Sequence, residues 1–230
     1  MQTISFFNLS LTFIPLIFVW YYYKKWTNNS SEIIISTLRM LIQLIAIGYL
    51  LIIIFETKNI FIGSFIVVFM ILVSSWISLR NTIDKSFRHY SQIFIAIAIS
   101  GLINLILIIV FVLDLESLYE PRYVIPLAGM IFANTMNALS LAIERFEKER
   151  QRDIDYEKAR EIAFKACMIP QVNALLAVGL VSLPGMMTGQ ILSGVDPLIA
   201  VRYQIMIMAM VLSSAGISAI IYFLLKEKKA

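Results

Sequence analysis

Uncharged polar side chains and a single arginine interrupt the long apolar stretches of this chain. Within a membrane such groups are costly unless the protein bonds to them, so they normally face a bundle interior or a hydrated path. Their chemistry suits the transient binding of a solute more than covalent catalysis. We therefore predict a translocation path whose candidate residues are Arg39, Gln43, Asn104, Asn134, Asn137, Asn173, Ser182, Pro184 and Gln190.

Several of these residues also have a purely structural interpretation. Arg39 and Gln43 lie one helical turn apart, and Arg39 is close enough to the end of its apolar stretch to reach lipid phosphates. Asn134 and Asn137, at positions i and i+3, share a helix face and would equally join neighbouring helices by hydrogen bonds. The sequence leaves both interpretations open.

The apolar stretch from Met168 to Arg202 is interrupted at Leu183-Pro184-Gly185. Because proline lacks an amide hydrogen, it frees a backbone carbonyl wherever it interrupts a helix. We predict that this stretch forms a helix that crosses the whole membrane and is kinked at Pro184. The freed carbonyl then faces the path together with Ser182, Gln190 and Asn134. At the end of the stretch, Asp196-Pro197 is typical of an N-cap followed by proline at the first helical position.

The composition predicts an integral membrane protein. Of its 230 residues, 60% are hydrophobic and only 15% are charged, which is too apolar for a soluble domain. The predicted fold class is all-α, a polytopic bundle of about seven transmembrane helices that forms a single transmembrane domain over residues 1–230. The expected helices are approximately 4–23, 33–55, 60–79, 93–113, 123–143, 172–192 and 197–225.

The distribution of basic residues predicts the orientation of the bundle. Fifteen of the 19 Lys and Arg residues lie in one set of alternate connections, against Lys58 and Arg122 in the other set. Because cytoplasmic loops carry an excess of Lys and Arg, the N-terminus is expected outside and the C-terminus in the cytoplasm. The predicted location is the plasma (inner) membrane.

The segment from Glu144 to Lys165 has seven acidic and seven basic side chains and no glycine or proline. It predicts a cytoplasmic helical hairpin at about residues 145–168, with its turn near Asp153-Ile154-Asp155 and an aspartate capping the returning helix. Pairs such as Glu144 with Lys148 and Glu161 with Lys165 have the favourable i, i+4 order.

Other motifs point away from an enzyme. None of the nine glycines precedes a lysine, so no phosphate-binding G-x-x-x-x-G-K-[ST] loop is present. The single histidine, His89, follows Lys85, Ser86, Phe87 and Arg88, and we interpret it as a solvated residue at the membrane surface. We predict no catalytic residues and no cofactor bound by this chain, and the sequence assigns no metal ligands.

A family resemblance covers most of the predicted membrane region. The motif-bearing segments are Gly179-Leu180-Val181-Ser182-Leu183-Pro184-Gly185-Met186-Met187-Thr188-Gly189-Gln190, Gly194-Val195-Asp196-Pro197, Tyr203-Gln204-Ile205, Arg39-Met40-Leu41-Ile42-Gln43-Leu44 through Gly48-Tyr49-Leu50, and Pro126-Leu127-Ala128-Gly129-Met130-Ile131 with Asn134. They resemble the FetB-type ABC transporter permeases, a family that includes bacterial iron-export permeases and plant aluminium-tolerance half-transporters.

This resemblance implies a permease that exports iron or a related metal ion. Its expected partners are a separate cytosolic ABC ATPase, which would carry the ATP, a second copy of the permease and the lipid bilayer; no nucleic acid is expected. The cytoplasmic hairpin then supplies the candidate ATPase contacts, which are Arg150, Arg152, Asp153 and Asp155.

The chain departs from the family pattern in one segment. Family members usually carry a Leu-Gly-Ala element before the sixth helix, whereas no glycine occurs between Met130 and Val178 here. The hairpin either contacts the ATPase in another way or does not couple to it. The alternative function is therefore a non-transporting membrane scaffold or regulatory subunit that has lost ATPase coupling.

Overall fold

The computed structural model describes residues 4–27, 31–56, 59–115, 117 and 119–227, and the regular structure within them is helical. A 3₁₀ turn at Leu79–Asn81 follows α4, and a π-helical segment at Leu107–Val112 continues α5. The helices are α1 Phe6–Leu11, α2 Ile14–Thr27, α3 Ser31–Glu56, α4 Ile60–Ser78, α5 Phe87–Ile106, α6 Pro121–Arg150, α7 Tyr156–Ala177, α8 Gly185–Leu192 and α9 Pro197–Glu227.

These helices form two compact units, Met1–Thr57 and Lys58–Ala230, and each is described by itself. Six helices within the described residues are long and apolar enough to cross a membrane, which confirms the polytopic helical bundle. Their bounds are Phe6–Thr27, Ser31–Glu56, Ile60–Ser78, Phe87–Val112, Pro121–Arg150 and Pro197–Lys226. The single domain over 1–230, the helix count of seven and the orientation of the termini stay predictions.

The first unit contains α1, α2 and α3. The first predicted helix is divided here, because α1 ends at Leu11 and α2 begins at Ile14. The Tyr23 hydroxyl donates a hydrogen bond to the Glu32 carboxylate at 2.5 Å, which joins the end of α2 to the start of α3. Such a polar contact at the helix ends is typical of tyrosine at a membrane interface.

Four helices of the second unit begin at residues whose side chains bond to the first free amides. Asn59 accepts from the amide of Phe61 at 2.9 Å, and Ser86 accepts from that of His89 at 3.2 Å. Asp155 caps α7 through Lys158 N–H at 3.1 Å, and Asp196 caps α9 through Leu198 N–H at 2.8 Å. Because these amides have no partner inside the helix, capping fixes where each helix starts.

The core of the second unit lies where α5, α6 and α9 pack together. Phe132 of α6 is buried against Gly101 of α5, where an added Cβ would lie 2.3 Å from the phenylalanine ring. The Ser100 hydroxyl of α5 donates to the Ser214 carbonyl of α9 at 2.7 Å. Small residues therefore let these helices approach closely enough to bond to each other.

The predicted sixth helix is wrong as a single kinked helix. The segment forms α7, a turn at residues 178–182 and α8, and Pro184 stands before α8 instead of inside a helix. Gly179 has a φ of +81°, a conformation that glycine adopts without strain, and its amide donates to the Ser182 carbonyl at 3.0 Å. This left-handed residue ends the helical path before proline can kink it.

The interrupted segment nevertheless runs beside α9 over most of the length of α9. At one end, the Tyr156 hydroxyl of α7 donates to the Phe223 carbonyl at 2.7 Å. Further along, Met168 of α7 lies beside Gly216, and Pro184 lines the same cavity as Gln204. The two helices and the turn between them are therefore antiparallel to α9.

The end of α6 and the start of α7 form a helical hairpin whose turn spans residues 151–155. Asp155 caps the returning helix, as one of the two expected aspartates. Glu144 and Lys148 form an ion pair on α6, and Glu161 bonds to Lys165 at 2.6 Å on α7. Both i, i+4 pairs expected from the sequence are present, while the side of the membrane stays a prediction.

One end of the second unit collects three connections rich in basic residues, and we call residues 79–90, 145–158 and 222–226 the basic end. The Glu147 carboxylate accepts from the Ile83 amide at 2.8 Å, and the Gln92 side chain donates to the Leu225 carbonyl at 3.0 Å. Three residues of the orientation count, Lys58, Lys228 and Lys229, lie outside the described residues.

The prediction of a solvated His89 is wrong. Because Ser86 starts α5 early, His89 falls in its first turn and is 1% exposed. Its Nδ1 lies 2.6 Å from the Asp84 carbonyl oxygen, which can only accept, so Nδ1 carries the proton. Its Nε2 accepts from the Tyr222 hydroxyl at 2.9 Å. This partner is 133 residues away in sequence, so the local charge pattern could not indicate it.

Candidate functional site

A cavity of about 440 Å³ lies in the second unit between α6, α7 and α9, and Pro184 closes part of it. It is near the middle of α6, where a transmembrane helix is furthest from water. Its lining combines apolar groups with four amide side chains, a thiol and two thioethers. The lining residues are Met130, Asn134, Asn137, Ala138, Leu141, Cys167, Pro170, Gln171, Ala174, Pro184, Gln204, Ile207, Met208 and Val211.

Helical periodicity explains how each helix presents a polar stripe to the cavity. On α6, Asn134 and Asn137 are three residues apart, so both lie on one face. On α9, Gln204 and Met208 are one turn apart and face the cavity in the same way. Gln171 supplies the fourth amide from α7. The cavity wall thus needs three helices, each contributing one face.

Gln204 has a buried acceptor atom without a partner among the described residues. Its side chain is 4% exposed, and its Oε1 has no hydrogen-bond partner within the part of the chain that the structure describes. A buried carbonyl oxygen without a donor costs about 1 to 3 kcal/mol. Asn134 differs, because its Nδ2 donates to the Met130 carbonyl of its own helix at 2.8 Å. The wall of the cavity therefore contains one buried acceptor that is unpaired among the described residues.

Pro170 lies inside α7 and lines the cavity, whereas the sequence analysis placed this role on Pro184. Proline has no amide hydrogen, so Pro170 cannot donate to the carbonyl of Ala166 four residues earlier. The Ala166 carbonyl of α7 therefore lacks its usual helical donor. Pro184 contributes to the cavity as a wall residue ahead of α8.

Asn104 is separate from this cavity. Its Oδ1 accepts from the Ser213 hydroxyl at 2.5 Å, and its Nδ2 donates to the Ser100 carbonyl at 2.9 Å. Both polar atoms of the side chain are bonded, and the residue is 6% exposed. The structure places Asn104 in an interhelical bond between α5 and α9, and its role in a path stays a prediction.

The remaining candidates fall in different places. Arg39 and Gln43 are exposed on α3 of the first unit. Asn173 and Ser182 are exposed in the second unit, at the end of α7 and in the turn. Gln190 of α8 is partly buried, and its Oε1 has no partner among the described residues. The structure thus brings together Asn134, Asn137 and Pro184.

The lining is electrically neutral, because it contains no Asp, Glu, Lys, Arg or His. Within the described residues, no group of three or more His, Cys, Asp or Glu side chains is arranged to hold a metal ion. Amide oxygens and thioethers provide dipolar and soft donors instead. Such groups can replace part of a hydration shell without holding a cation tightly.

Comparisons with known proteins identify the family. Residues 6–157 and 155–230 match the profile described as uncharacterised protein family UPF0014. The chain belongs to the UPF0014 family. It is an integral membrane protein and a membrane permease, and the predicted resemblance to FetB-type permeases is confirmed.

Three relatives illustrate the similarity. "Probable iron export permease protein FetB" of Escherichia coli is 35% identical over 216 residues, covering 86% of this chain and 81% of the relative. "UPF0014 membrane protein slr1647" of Synechocystis is 33% identical over 84% of this chain and 80% of its own. "UPF0014 membrane protein YjkA" of Bacillus subtilis is 32% identical, over 94% of this chain and 92% of its own length. No solved structure matches the chain.

The sequence analysis of this UPF0014 protein missed Gln171 and Gln204. Each is a lone amide in an apolar helix, the same signal that selected Asn104, and Gln204 stands in the quoted Tyr203-Gln204-Ile205 segment. Pro170 was detectable too, as a proline directly before Gln171. Treating every intramembrane amide as a candidate would have found both glutamines.

The candidate ATPase contacts of this UPF0014 protein lie together at the hairpin turn. Arg150, Arg152, Asp153 and Asp155 are all exposed. The Arg150 Nη1 donates to the Ile154 carbonyl at 2.9 Å, and Asp153 has a φ of +59°, so the turn is tightly folded. Asp155 is already used as a cap, and Arg152 Nη1 lies 3.6 Å from Glu149 Oε1 in an i, i+3 ion pair. The contact of these four candidates with an ATPase stays a prediction.

Proposed function

We propose that the chain is the membrane-spanning subunit of an ABC-type transporter that exports iron or a related metal ion across the inner membrane. A separate cytosolic ATPase binds the ATP, and two permease copies assemble with it. The observation that carries this proposal is the neutral, amide-lined cavity beside the interrupted segment of α7 and α8. The similarity to a protein named as a probable iron export permease supports the choice of cargo.

The cavity is suited to the transient binding of a metal cation during transport more than to its tight retention. A cation that leaves water needs oxygen or sulfur donors, and the amide oxygens of Asn137 and Gln204 and the thioether of Met208 provide them. Without a carboxylate at the site, binding stays weak enough for release. The buried Oε1 of Gln204 gains a partner when the cargo arrives, which offsets part of the dehydration cost.

The interruption after α7 allows α7 to move relative to α8. α7 packs against both α6 and α9, whereas α8 packs mainly against α9. A displacement of α7 relative to α8 therefore changes one wall of the cavity while the other two remain. Alternating access requires such a wall, as in transporters whose binding sites lie at discontinuous helices.

α7 also links the hairpin turn to the cavity. It begins at the Asp155 cap, passes the cavity at Cys167 to Ala174 and ends at Ala177. At 1.5 Å per residue, its 22 residues span about 33 Å. The ion pairs of Glu161 with Lys158 at 2.8 Å and Lys165 at 2.6 Å stabilise its first turns. A displacement of the hairpin turn is thereby transmitted along α7 to the cavity wall.

The decisive experiment co-expresses the chain with candidate ABC ATPases from the same organism and measures copurification, ATPase stimulation and ATP-dependent iron efflux from vesicles. The tip variant Arg152→Glu/Asp153→Lys exchanges two charges without changing the net charge. We expect it to lose copurification and stimulation. A wild-type chain that neither binds nor stimulates any of these ATPases would refute the proposal.

A matched control exchanges two charges on the stem of the hairpin. Glu144→Lys/Lys148→Glu preserves the net charge and the ion pair of α6 but lies away from the turn. We expect this variant to retain coupling. Equal loss in both variants would show that the hairpin as a whole, and not its tip, is sensitive to charge.

The second candidate function is a non-transporting scaffold or regulatory subunit. The glycine-free segment between Met130 and Val178 favours it, because family members usually have a Leu-Gly-Ala element there. A scaffold would bind the ATPase without moving cargo. ATP-dependent efflux that requires Gln204 would exclude this alternative, whereas binding without any efflux would support it.

A further inference from the structure

A second pocket, of about 420 Å³, lies at the basic end and is separate from the amide-lined cavity. It is formed by the start of α5, the hairpin of α6 and α7, and the end of α9. All of its lining belongs to the second unit. The lining residues are Asp84, Ser86, Arg88, His89, Gln92, Phe146, Arg150, Tyr156 and Lys226.

The pocket carries an excess of positive charge. Three cations line it, Arg88, Arg150 and Lys226, against one carboxylate, Asp84. Neither Arg88 nor Lys226 forms a hydrogen bond or ion pair within the described residues. Arg150 uses only Nη1, which donates to the Ile154 carbonyl. Most of the donor capacity of these three side chains is therefore available to a ligand.

Asp84 offsets only one of the three positive charges of the lining, so the pocket keeps a net positive charge. The Asp84 Oδ1 accepts from the Ser86 amide at 2.9 Å, and this bond is the main reason that the pKa of Asp84 lies below its ordinary value. His89 is not a further cation in this arrangement, since its Nε2 accepts from Tyr222. The pocket is thus suited to an anion with several oxygen acceptors.

The position of the pocket selects among such anions. The apolar span of α5 begins at Phe87, and that of α9 ends at Lys226, so the pocket lies where two membrane spans end. Phospholipid phosphates occupy this level of a bilayer. Arginine forks match the geometry of phosphate oxygens, and anionic lipids attract clustered Lys and Arg at the surface.

We propose that this pocket binds the phosphate of an anionic phospholipid headgroup, with Arg88, Arg150 and Lys226 as its donors. Because Arg150 also bonds to the Ile154 carbonyl, the bound headgroup holds the hairpin turn against the ends of α5 and α9. The anionic lipid thereby stabilises the hairpin whether or not an ATPase is present. This inference does not depend on the cargo or on transport.

The experiment measures the Tm of the purified chain in detergent with added short-chain phosphatidylglycerol, short-chain phosphatidylcholine or inorganic phosphate. We expect phosphatidylglycerol to raise the Tm by about 2 to 4 °C at saturating concentration. Phosphatidylcholine, whose headgroup has no net charge, should give a smaller shift. An equal stabilisation by millimolar inorganic phosphate would overturn the assignment to a lipid.

Single-charge variants locate the site. Arg88→Gln and Lys226→Gln each remove one cation from the pocket, whereas Lys85→Gln removes one from the same connection as Arg88 without lining the pocket. We expect the phosphatidylglycerol shift to fall by at least half in the first two variants and to persist in the third. Pocket variants that respond like the wild type, or a control that loses the shift equally, would overturn the proposal.

Discussion

Asn104 and Gln204 are both carboxamides in apolar transmembrane helices, yet their surroundings differ. The Asn104 side chain bonds to Ser213 and to the Ser100 carbonyl, which completes its hydrogen bonding. The Gln204 side chain is equally buried and lines a cavity, but its Oε1 has no partner within the described residues. One amide joins two helices, and the other leaves an acceptor unused.

The difference follows from the continuity of the neighbouring helix. α5 remains helical past Asn104 and approaches α9 closely, so serine hydroxyls of α9 reach the amide. Beside Gln204, the helix α7 ends at Ala177 and a turn follows, so fewer side chains reach the amide. An interruption in one helix therefore creates both the space of the cavity and the unsatisfied group in its wall.

The largest effect should come from Gln204→Leu. Removing the unpaired Oε1 leaves the free energy of unfolding unchanged or slightly raised, since no bond is lost. Efflux should nevertheless fall by about tenfold, equivalent to about 1.4 kcal/mol in the transport step. ATP-dependent iron efflux and chemical unfolding of the same preparation measure the two quantities. Unimpaired efflux would remove Gln204 from the path.

The same substitution at Asn104 should show the opposite pattern. Asn104→Leu loses the bonds to Ser213 and to the Ser100 carbonyl, so the free energy of unfolding should fall by about 0.5 to 1.5 kcal/mol. Efflux per folded molecule should stay near that of the wild type, a result that would remove Asn104 from the predicted path. If efflux falls as far as in Gln204→Leu, the two amides do not differ as their environments indicate.

Pro184→Ala should have a smaller effect that is specific to the cavity. Proline restricts the residue before it to an extended conformation. Alanine therefore gives the turn more conformations, and we expect efflux to fall by about twofold to threefold. Pro197→Ala, at the first position of α9 and away from the cavity, is the matched control. Equal losses in both variants, or a loss of stability as large as the loss of efflux, would contradict this role.

The smallest effect should be a pH dependence confined to the basic end. The pKa of Asp84 is lowered mainly by the Ser86 amide, so its contribution to stability is present above the unfolded pKa of about 3.9 and is lost as pH falls through the folded value. With solvent screening, the loss should be about 0.5 kcal/mol or less. Tm measurements from pH 6 to 3 should show this component in the wild type and not in Asp84→Asn.

Local patterns allowed much of the fold to be predicted. Apolar windows located the long helices, Asp196-Pro197 marked the start of α9, and Asp155 was one of two expected caps. The patterns also selected Asn134, Asn137 and Pro184, which the structure brings to one cavity. These features depend on residues close together in sequence, so composition and spacing were sufficient.

Sequence patterns did not predict features that depend on a partner residue far away along the chain. The burial of His89 depends on Tyr222, and the difference between Asn104 and Gln204 depends on which helix stands opposite each amide. The interruption at residues 178–182 depends on Gly179 adopting a positive φ, which competed with the high apolar content of the segment. Tertiary contacts decided the first two cases, and the backbone conformation of one glycine decided the third.

The turn after α7 is chemically self-contained. The five amides of residues 178 to 182 all donate to carbonyls within residues 174–182, and three of them share the Ala177 oxygen. Such a segment can shift in the bilayer without exchanging any of these bonds with a neighbouring helix. The free-energy barrier to its movement then arises from sliding apolar contacts, and the motion can follow the microsecond-to-millisecond timescale of collective rearrangements.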